Sequence, residues 1–232
     1  MKAIIIIPAR FGSTRLKRKM LLNKTGKYLV QHTYEQALKS REAEGVIIAT
    51  DSPLVYKAVK SFGGKAVMTS PKHSSGSERI AEVAKKLNYP IIVNLQGDEP
   101  EIEPSAIDKS IKLARLKNID IATLATPFRN KKELNDPSKV KVLIGKGGKA
   151  INFSRKVFAK NLKRHIGIYA YKRASLLRFI KLSPTVREKE ERLEQLRALE
   201  NGFNIKVGVI NKAPVGIDTP KDYEAFVGRI KK

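Results

Sequence analysis

Four consecutive isoleucines at residues 4–7 constrain the fold of this chain more than any other feature. Successive side chains of a β-strand point to opposite faces, so an unbroken apolar run predicts a strand that is buried on both faces. Such strands belong to parallel sheets that carry helices on both sides. Pro8 and Gly12 then predict a turn at the carboxyl end of this strand.

The segment that follows the first strand is rich in cations, hydroxyls and glycine: Arg10, Gly12, Ser13, Thr14, Arg15, Lys17, Arg18 and Lys19. A loop of this composition at the carboxyl end of a buried strand suits a polyphosphate. Its spacing matches neither the P-loop nor the dinucleotide-binding motif. From the residues alone, a solvated surface loop is the alternative interpretation.

The rest of the first half alternates short β-branched runs with helical periodicity. It predicts strands at residues 3–7, 45–50, 66–68, 90–95 and 119–125, and helices at residues 28–40, 53–62, 104–114 and after Ser75. This alternation predicts an α/β fold with a mostly parallel, doubly wound, Rossmann-like sheet, which binds ligands at the carboxyl ends of its strands.

The second half of the chain is less regular. Residues 126–172 contain strand-like runs at 139–144 and 166–171, which predict an antiparallel insertion or extension. Two helices at 174–182 and 187–201, a strand at 205–210 and a final helix from Thr219-Pro220 to about residue 230 complete the pattern. No linker divides residues 1–232, so a single domain is expected.

Composition narrows the function classes. The chain has 232 residues and no cysteine, which excludes disulfides and thiolate metal sites and suits a reducing cytoplasm. No signal peptide and no membrane span are expected, because the longest apolar runs fall far short of about 20 residues.

The net charge of +25 invites a nucleic-acid interpretation. Its cations are spread along the whole chain, however, and no zinc-finger spacing, RNA-binding motif or recognition helix is present. We therefore expect no specific nucleic-acid partner and no membrane partner; weak attraction to polyanions explains the charge equally well.

Two acidic motifs are candidates for a metal site. Asp98 and Glu99 follow the fourth strand in the run NLQGDEP, and Asp218 lies in the distant run VGIDTPKDY. Two carboxylates together with phosphate oxygens are a ligand set that Mg²⁺ prefers. The alternative is that these carboxylates cap the helices that follow them.

Eight motifs taken together resemble one enzyme family. In chain order they are PARFGSTRL, ATDS, SSGSERIAEV, VNLQGDEP, INFSR, HIGIYAY, LEQLRALENG and GIDTPKDYEAF. They extend over almost the whole chain and are similar to those of the 3-deoxy-manno-octulosonate (Kdo) cytidylyltransferases, or CMP-Kdo synthetases. This family belongs to the glycosyltransferase-A-like nucleotidyltransferases, whose fold is of the nucleotide-diphospho-sugar transferase type.

The resemblance implies a role for each matching residue. Nucleotide-binding positions are Arg10, Ser13, Arg15, Lys19, Ser75, Gly76, Arg79 and Gln96, and the magnesium ligands are Asp98 and Asp218. Sugar-binding positions are Gln96, Arg155, His165, Tyr169, Glu194 and Gln195. Residues Arg10, Lys19, Asp98 and Asp218 would carry the catalysis. From the residues alone, His165 and Tyr169 are equally typical of a core, and Glu194 of a solvated helix face.

The implied reaction joins Kdo to CTP, with Mg²⁺ as cofactor, to give CMP-Kdo and pyrophosphate for lipopolysaccharide synthesis. No covalent intermediate is expected. The resemblance also implies a homodimer, with residues 126–172 as an extension on the sugar and dimer side.

Two departures from the family pattern keep alternatives open. The chain reads RLKRKML at residues 15–21, where the family commonly reads RLPGKPL, and only nine residues separate Arg155 from His165, where the family usually has more. The acceptor could therefore be another acidic sugar, such as an amino-Kdo or a sialic-type acid. A non-catalytic nucleotide- or polyanion-binding paralogue is the remaining alternative.

Overall fold

A computed structural model describes residues 1–12 and 16–231 of the chain. Its strands are β1 (Ala3–Pro8), β2 (Val46–Thr50), β3 (Ala66–Met68), β4 (Ile91–Leu95), β5 (Ile121–Thr126), β6 (Lys141–Ile144), β7 (Ala150–Ser154), β8 (Lys163–Lys172) and β9 (Ile205–Val209). Its helices are α1 (Leu29–Leu38), α2 (Pro53–Ser61), α3 (Gly76–Lys85), α4 (Pro104–Ala114), α5 (Lys131–Asn135), α6 (Arg173–Phe179), α7 (Val186–Glu191), α8 (Glu194–Glu200) and α9 (Pro220–Ile230).

The strands of the described residues form one nine-stranded sheet in the order β3-β2-β1-β4-β8-β5-β9, with β6 pairing to β8 and β7 pairing to β6. Strands β1, β2, β3 and β4 are parallel to one another, and β5 is parallel to β9. The predicted mostly parallel α/β sheet is therefore confirmed.

Strand β8 is antiparallel and lies in the middle of the sheet, between β4 and β5. The antiparallel region is thus more than a lateral extension; only β6 and β7 lie to the side. Because β8 runs in reverse, its amino end lies where β4 and β5 end: Leu95 pairs with Ile168, and Thr126 pairs with Arg164. This reversal brings the HIGIYAY motif to the edge where a doubly wound sheet binds ligands.

Helices cover both faces of the sheet. Ile5 and Ile7 belong to the apolar core that also contains buried side chains of α1, α2 and α4, whereas Ile4 and Ile6 belong to the core that contains those of α3, α6 and α8. The isoleucine run is therefore buried on both faces, as its composition predicts. Helix α9 packs on α1 through the T-shaped contact of Phe226 with His32, and Ile217 of the preceding loop is buried in the same cluster.

The predicted single helix at residues 187–201 is wrong. Arg192 adopts a left-handed conformation (φ 53°, ψ 51°) that ends α7, and α8 starts two residues later. A capping box between Thr185 and Glu188 opens α7. The buried Arg197 guanidinium of α8 then bonds back to Glu188 at 2.8 Å, which holds the two short helices at their break.

Other predicted bounds differ by a few residues, and two elements, α5 and β7, were not predicted. Helix α4 begins and ends where the sequence predicts. The Ser75 hydroxyl caps α3 by accepting from the Glu78 N–H, but the Glu78 carboxylate bonds to Ser74, so the reciprocal capping box is absent there. Within the described residues, no helix is long and apolar enough to cross a membrane.

Candidate active site

Two cavities open at the carboxyl edge of the parallel strands. The α3 cavity, of about 220 Å³, lies between the end of β1 and the start of α3, and Arg10, Ser75, Gly76 and Arg79 line it. The β8 cavity, of about 470 Å³, lies between the end of β4 and the start of β8. Gln96 lines both cavities and donates a hydrogen bond to Asn94 at 3.1 Å, so the two form one continuous site.

One wall of the α3 cavity is formed where the end of β1 packs closely against the first residue of α3. A Cβ on Gly76 would lie 3.2 Å from Pro8 Cγ, so a larger residue would press β1 away from α3. Helix α3 spans ten residues and presents its free N–H groups at this end. Arg10 is exposed at the cavity rim. The cavity thus offers cationic and N–H donors to an anion.

Arg79 is fixed by its own protein partners. Its guanidinium donates to Asp51 Oδ2 at 2.7 Å and to Thr69 Oγ1 at 2.6 Å, and it is 3% exposed. Asp51 in turn accepts from the Phe11 N–H at 3.3 Å, at the start of the basic loop. Arg79 therefore connects α3, the ATDS motif and the basic loop.

Asp98 and Asp218 come together around the ammonium of Lys19. Lys19 Nζ lies 2.5 Å from Asp98 Oδ2 and 3.2 Å from Asp218 Oδ1, and it also donates to the Ile217 carbonyl at 2.9 Å. A backbone bond from Ile217 N to Asp98 O at 2.9 Å ties the two loops together. The cap of α9 is Thr219, with Asp222, so Asp218 does not serve as the cap. The three charged groups, from three distant segments, make one cluster.

Glu99 is buried beside this cluster; it shares the acidic motif of Asp98, but the family resemblance implies no role for it. Burial, reinforced by the neighbouring charge of Asp98, raises the pKa of Glu99 to about 8. Its Oε2 has no hydrogen-bond partner among the described residues. A Cβ on Gly216 would lie 3.1 Å from its Oε1, so the glycine gives the carboxyl group its room. The local sequence predicts that Glu99 lies in the turn after β4, but it contains no pattern that predicts the burial of this side chain.

His165 and Tyr169 are held by hydrogen bonds along the β8 cavity. The Thr123 hydroxyl donates to the Ile168 carbonyl at 2.8 Å and lies 2.8 Å from His165 Nε2, which assigns the imidazole proton to Nε2. Burial lowers the pKa of His165 to about 3. The Tyr169 hydroxyl donates to Gln195 Oε1 at 3.1 Å, and burial raises the pKa of this phenol. His165 is therefore neutral and Tyr169 protonated near pH 7.

Glu194 and Arg155 line the β8 cavity as well. The Ser77 hydroxyl donates to Glu194 Oε2 at 2.7 Å, so Glu194 joins α8 to α3 rather than lying on a solvated face. Arg155 donates through Nε to the Glu191 carbonyl at 2.7 Å and through a terminal nitrogen to the Pro137 carbonyl at 3.3 Å. Two nitrogens of its guanidinium are thus bonded within the protein, just after the end of β7.

The site residues predicted by the resemblance therefore gather at one edge of the sheet, in or beside the two cavities. Ser13 and Arg15 lie outside the described residues. The binding roles of all these residues stay predictions. Three cations that line the β8 cavity, Lys139, Arg164 and Arg192, were not predicted, because nothing in their local sequence distinguishes them from surface charges.

Comparison with known proteins was made at the level of sequence and of structure. A family model described as cytidylyltransferase matches residues 4–207. The 3-deoxy-manno-octulosonate cytidylyltransferase of Geotalea uraniireducens is 43% identical and is covered completely, as is this chain. The enzyme of the same name from Rhodopirellula baltica is 44% identical over 100% of this chain and 99% of its own length. This chain belongs to the 3-deoxy-manno-octulosonate cytidylyltransferase family.

A solved structure agrees with this membership. The structure of CMP:2-keto-3-deoxy-manno-octonic acid synthetase complexed with CTP matches with a TM-score of 0.95 and 39% identity, and the match covers 100% of this chain and 99% of that one. The family is one of nucleotidyltransferases, and the protein is an enzyme of this class. The alignment with the Geotalea cytidylyltransferase extends over 251 positions against 232 residues here, so this chain is the shorter in some segments.

Proposed function

We propose that this protein transfers a cytidylyl group from CTP to Kdo, giving CMP-Kdo and pyrophosphate. The observation that carries this proposal is the continuous site: an α3 cavity with cationic and N–H donors and a polar β8 cavity meet at Gln96, beside the cluster of Lys19, Asp98 and Asp218. Family membership and the relative solved with CTP support the same assignment.

The α3 cavity is the proposed nucleotide site. Arg10 and the N–H groups of α3 would bind phosphate oxygens, and Gly76 lets the start of α3 pack closely against the end of β1 beside them. Arg79 would act from behind this wall, because its guanidinium already bonds to Asp51 and Thr69. We expect its loss to distort the cavity rather than to remove a direct phosphate contact.

The β8 cavity is the proposed sugar site. His165 carries its proton on Nε2, which leaves Nδ1 as a hydrogen-bond acceptor for a sugar hydroxyl. Gln195 accepts from Tyr169 through its oxygen, so its amide N–H groups are oriented for a ligand. A neutral imidazole and neutral amides suit a substrate that is rich in hydroxyl groups.

The paired carboxylates fit a magnesium ion. Asp98 and Asp218 already hold a cation, the Lys19 ammonium, between their oxygens, and their hard oxygen donors are of the type that Mg²⁺ prefers. Within the described residues no group of three or more His, Cys, Asp or Glu side chains could hold a metal, so phosphate oxygens and water would complete the ligand set. A bound Mg²⁺ would neutralise phosphate charge and bring the two substrates together.

The residues of the chain would then act by position and charge. The anomeric oxygen of Kdo forms a bond to the α-phosphorus of CTP, the bond from that phosphorus to pyrophosphate breaks, and the hydroxyl proton passes to solvent. Lys19 and Arg10 would stabilise the negative charge that develops on the leaving pyrophosphate. His165 is bonded to Thr123 and is not required as a base.

Pyrophosphate release from CTP, with Mg²⁺ and Kdo, tests this proposal. We expect Kdo-dependent release that falls at least about 100-fold in Asp98→Asn, since one charged ligand of the site is lost. Glu103→Gln, which removes an exposed carboxylate from the loop that follows Asp98, is the matched control and should retain activity. Release that is independent of Kdo, or equal in wild type and Asp98→Asn, would contradict the proposal.

A second acceptor is the main alternative. The short segment between Arg155 and His165 borders the sugar side of the site, and its length argues for testing amino-Kdo and sialic-type acids beside Kdo. A non-catalytic nucleotide binder would bind CTP and release no pyrophosphate with any acceptor. The homodimer and the place in lipopolysaccharide synthesis remain proposals by resemblance; light scattering would test the first.

A further inference from the structure

The β8 cavity is lined by more charge than a sugar rich in hydroxyls requires. Its walls include the carboxylates of Asp98, Glu194 and Asp218, the carboxyl group of Glu99, whose pKa is raised by burial, and the cations Lys139, Arg155, Arg164 and Arg192. An acidic acceptor would be repelled by the carboxylates unless cations of the same cavity compensate. Which of the four cations can do so depends on their present partners.

Two of these cations are already used within the protein. Arg164 forms a half-buried ion pair with Glu133 at 2.7 Å. Arg155 donates to the carbonyls of Glu191 and Pro137. In contrast, the side chains of Lys139 and Arg192 form no hydrogen bond or ion pair with any residue in the ranges 1–12 and 16–231. Among the described residues, Lys139 and Arg192 are thus the cations of this cavity with no side-chain donor committed to a protein partner, whereas Arg155 and Arg164 have only part of their donors left.

Arg192 is also held in an unusual backbone conformation. Its left-handed φ of 53° costs about 1 kcal/mol for a residue with a side chain, and helix ends of this kind usually carry glycine or asparagine. The break is fixed from both sides, because the N–H groups of Arg192 and Leu193 both bond to the Glu188 carbonyl. The guanidinium therefore projects from a rigid junction, next to the sugar-side residues Glu194 and Gln195.

We propose that Arg192 determines specificity for the acidic acceptor by binding an anionic group of the sugar at the mouth of the β8 cavity. This inference rests on the proposed function and deepens it. Arginine is suited to this role because its planar guanidinium donates two parallel hydrogen bonds to a carboxylate. Arg192 is exposed where it lines the cavity, so its donors are accessible to a ligand that enters there.

The left-handed backbone at Arg192 allows substitutions that remove the charge without straining the main chain. Arg192→Asn and Arg192→Gly both remove the charge and tolerate this conformation, so neither should strain the helix break. Lys189→Gln is the matched control, because it removes an exposed cation from α7, the helix that Arg192 ends, and Lys189 does not line the cavity. Thermal melting of each variant checks that the fold is retained, and Arg192→Gly should melt at or above the wild-type temperature.

Steady-state kinetics with CTP and Kdo give the decisive comparison. We expect the KM for Kdo to rise about ten-fold in both Arg192 variants, the value for a lost charge-assisted hydrogen bond. The KM for CTP should stay within about two-fold, and Lys189→Gln should match the wild type. An unchanged KM for Kdo, or equal rises in both KM values, would overturn the assignment of Arg192 while leaving the proposed function intact.

Direct binding separates this inference from the proposed reaction. Wild-type protein without Kdo-dependent turnover would contradict the proposed function. Calorimetric titration of the same proteins with Kdo and with N-acetylneuraminate, in the presence of CMP, would then test Arg192 independently. About ten-fold weaker binding of an acidic sugar by Arg192→Asn supports the inference. Equal binding, or no binding of either sugar to the wild type, overturns it.

Discussion

At the scale of single residues, His165 shows how burial fixes a protonation state. The pKa of the imidazole is lowered to about 3 in the folded protein, below the ordinary value of 6.5. The unfolded chain therefore binds more protons between these two values, and the free energy of unfolding must fall as pH decreases through this window. Above about pH 6.5 this contribution is constant.

We expect the wild-type free energy of unfolding to lose about 2 kcal/mol more than that of His165→Gln when pH falls from 7.5 to 5. Glutamine retains an amide that can bond to Thr123 but does not titrate. Urea denaturation of both proteins at the two pH values measures the difference, and the other histidines cancel because both proteins contain them. Identical pH dependence in the two proteins would mean that His165 is protonated as easily in the folded state as in the unfolded chain.

Arg79 bonds to partners within the protein, so we expect its substitution to change the free energy of unfolding. Arg79→Lys should lower the free energy of unfolding by about 2 kcal/mol, since one ammonium cannot replace the bonds to Asp51 and Thr69 together. A double-mutant cycle with Asp51→Asn, measured by urea denaturation, should show coupling of about 1 kcal/mol or more. Additive effects would show that the ion pair does not stabilise the fold.

At the scale of elements, the loop after β4 is packed against the 3₁₀ turn (Lys19–Leu21) that carries Lys19. A Cβ on Gly97 would lie 2.8 Å from Met20 Sδ and 3.3 Å from Ile7 Cγ2. Gly97→Ala should therefore push the two loops apart and separate Asp98 from the Lys19 ammonium.

Activity of Gly97→Ala in the pyrophosphate assay should fall about ten-fold or more, with a loss of about 1–3 kcal/mol in stability from overpacking. Met20→Ala removes the atom that the new methyl group meets, so the double variant should recover part of both losses. Failure of Met20→Ala to relieve either loss would place the strain elsewhere.

The sequence could predict those elements whose signal is local. The run of isoleucines, the Ser52-Pro53 start of α2 and the bounds of α4 are set by short-range patterns, and these predictions are confirmed. The break at Arg192 is different, because helix periodicity continues across it, and the bond from Arg197 to Glu188 that helps to hold the broken form has no local sequence signal. The central position of β8 likewise depends on pairing with two strands distant in sequence.

The candidate site shows the same division. Arg10, Asp98 and Asp218 stand in motifs that identify them, so the family resemblance alone could assign them. Glu99 lies in one of those motifs, yet its burial depends on the room left by Gly216, more than a hundred residues away. Lys139 and Arg192 become candidate site residues only because folding places both side chains on the wall of one cavity, which no local pattern in the sequence predicts.

At the scale of the whole molecule, the proposed reaction does not require the net charge of +25. The cations Lys57, Lys117 and Lys181 are exposed, lie in different parts of the chain and line neither cavity. Reversing all three to glutamate would lower the net charge by about six while leaving the site unchanged.

We expect this triple variant to elute from heparin at clearly lower salt than the wild type, because nonspecific binding of a polyanion follows total charge. Its kcat and its KM for Kdo should stay within about two-fold, since the three lysines line neither cavity and interactions between exposed charges are screened over about 10 Å at 0.1 M salt. Heparin chromatography and the pyrophosphate assay measure the two effects on the same protein. If reversal abolished turnover while leaving the melting temperature unchanged, the surface charge would be part of the enzyme's function, and a polyanionic partner would have to be sought.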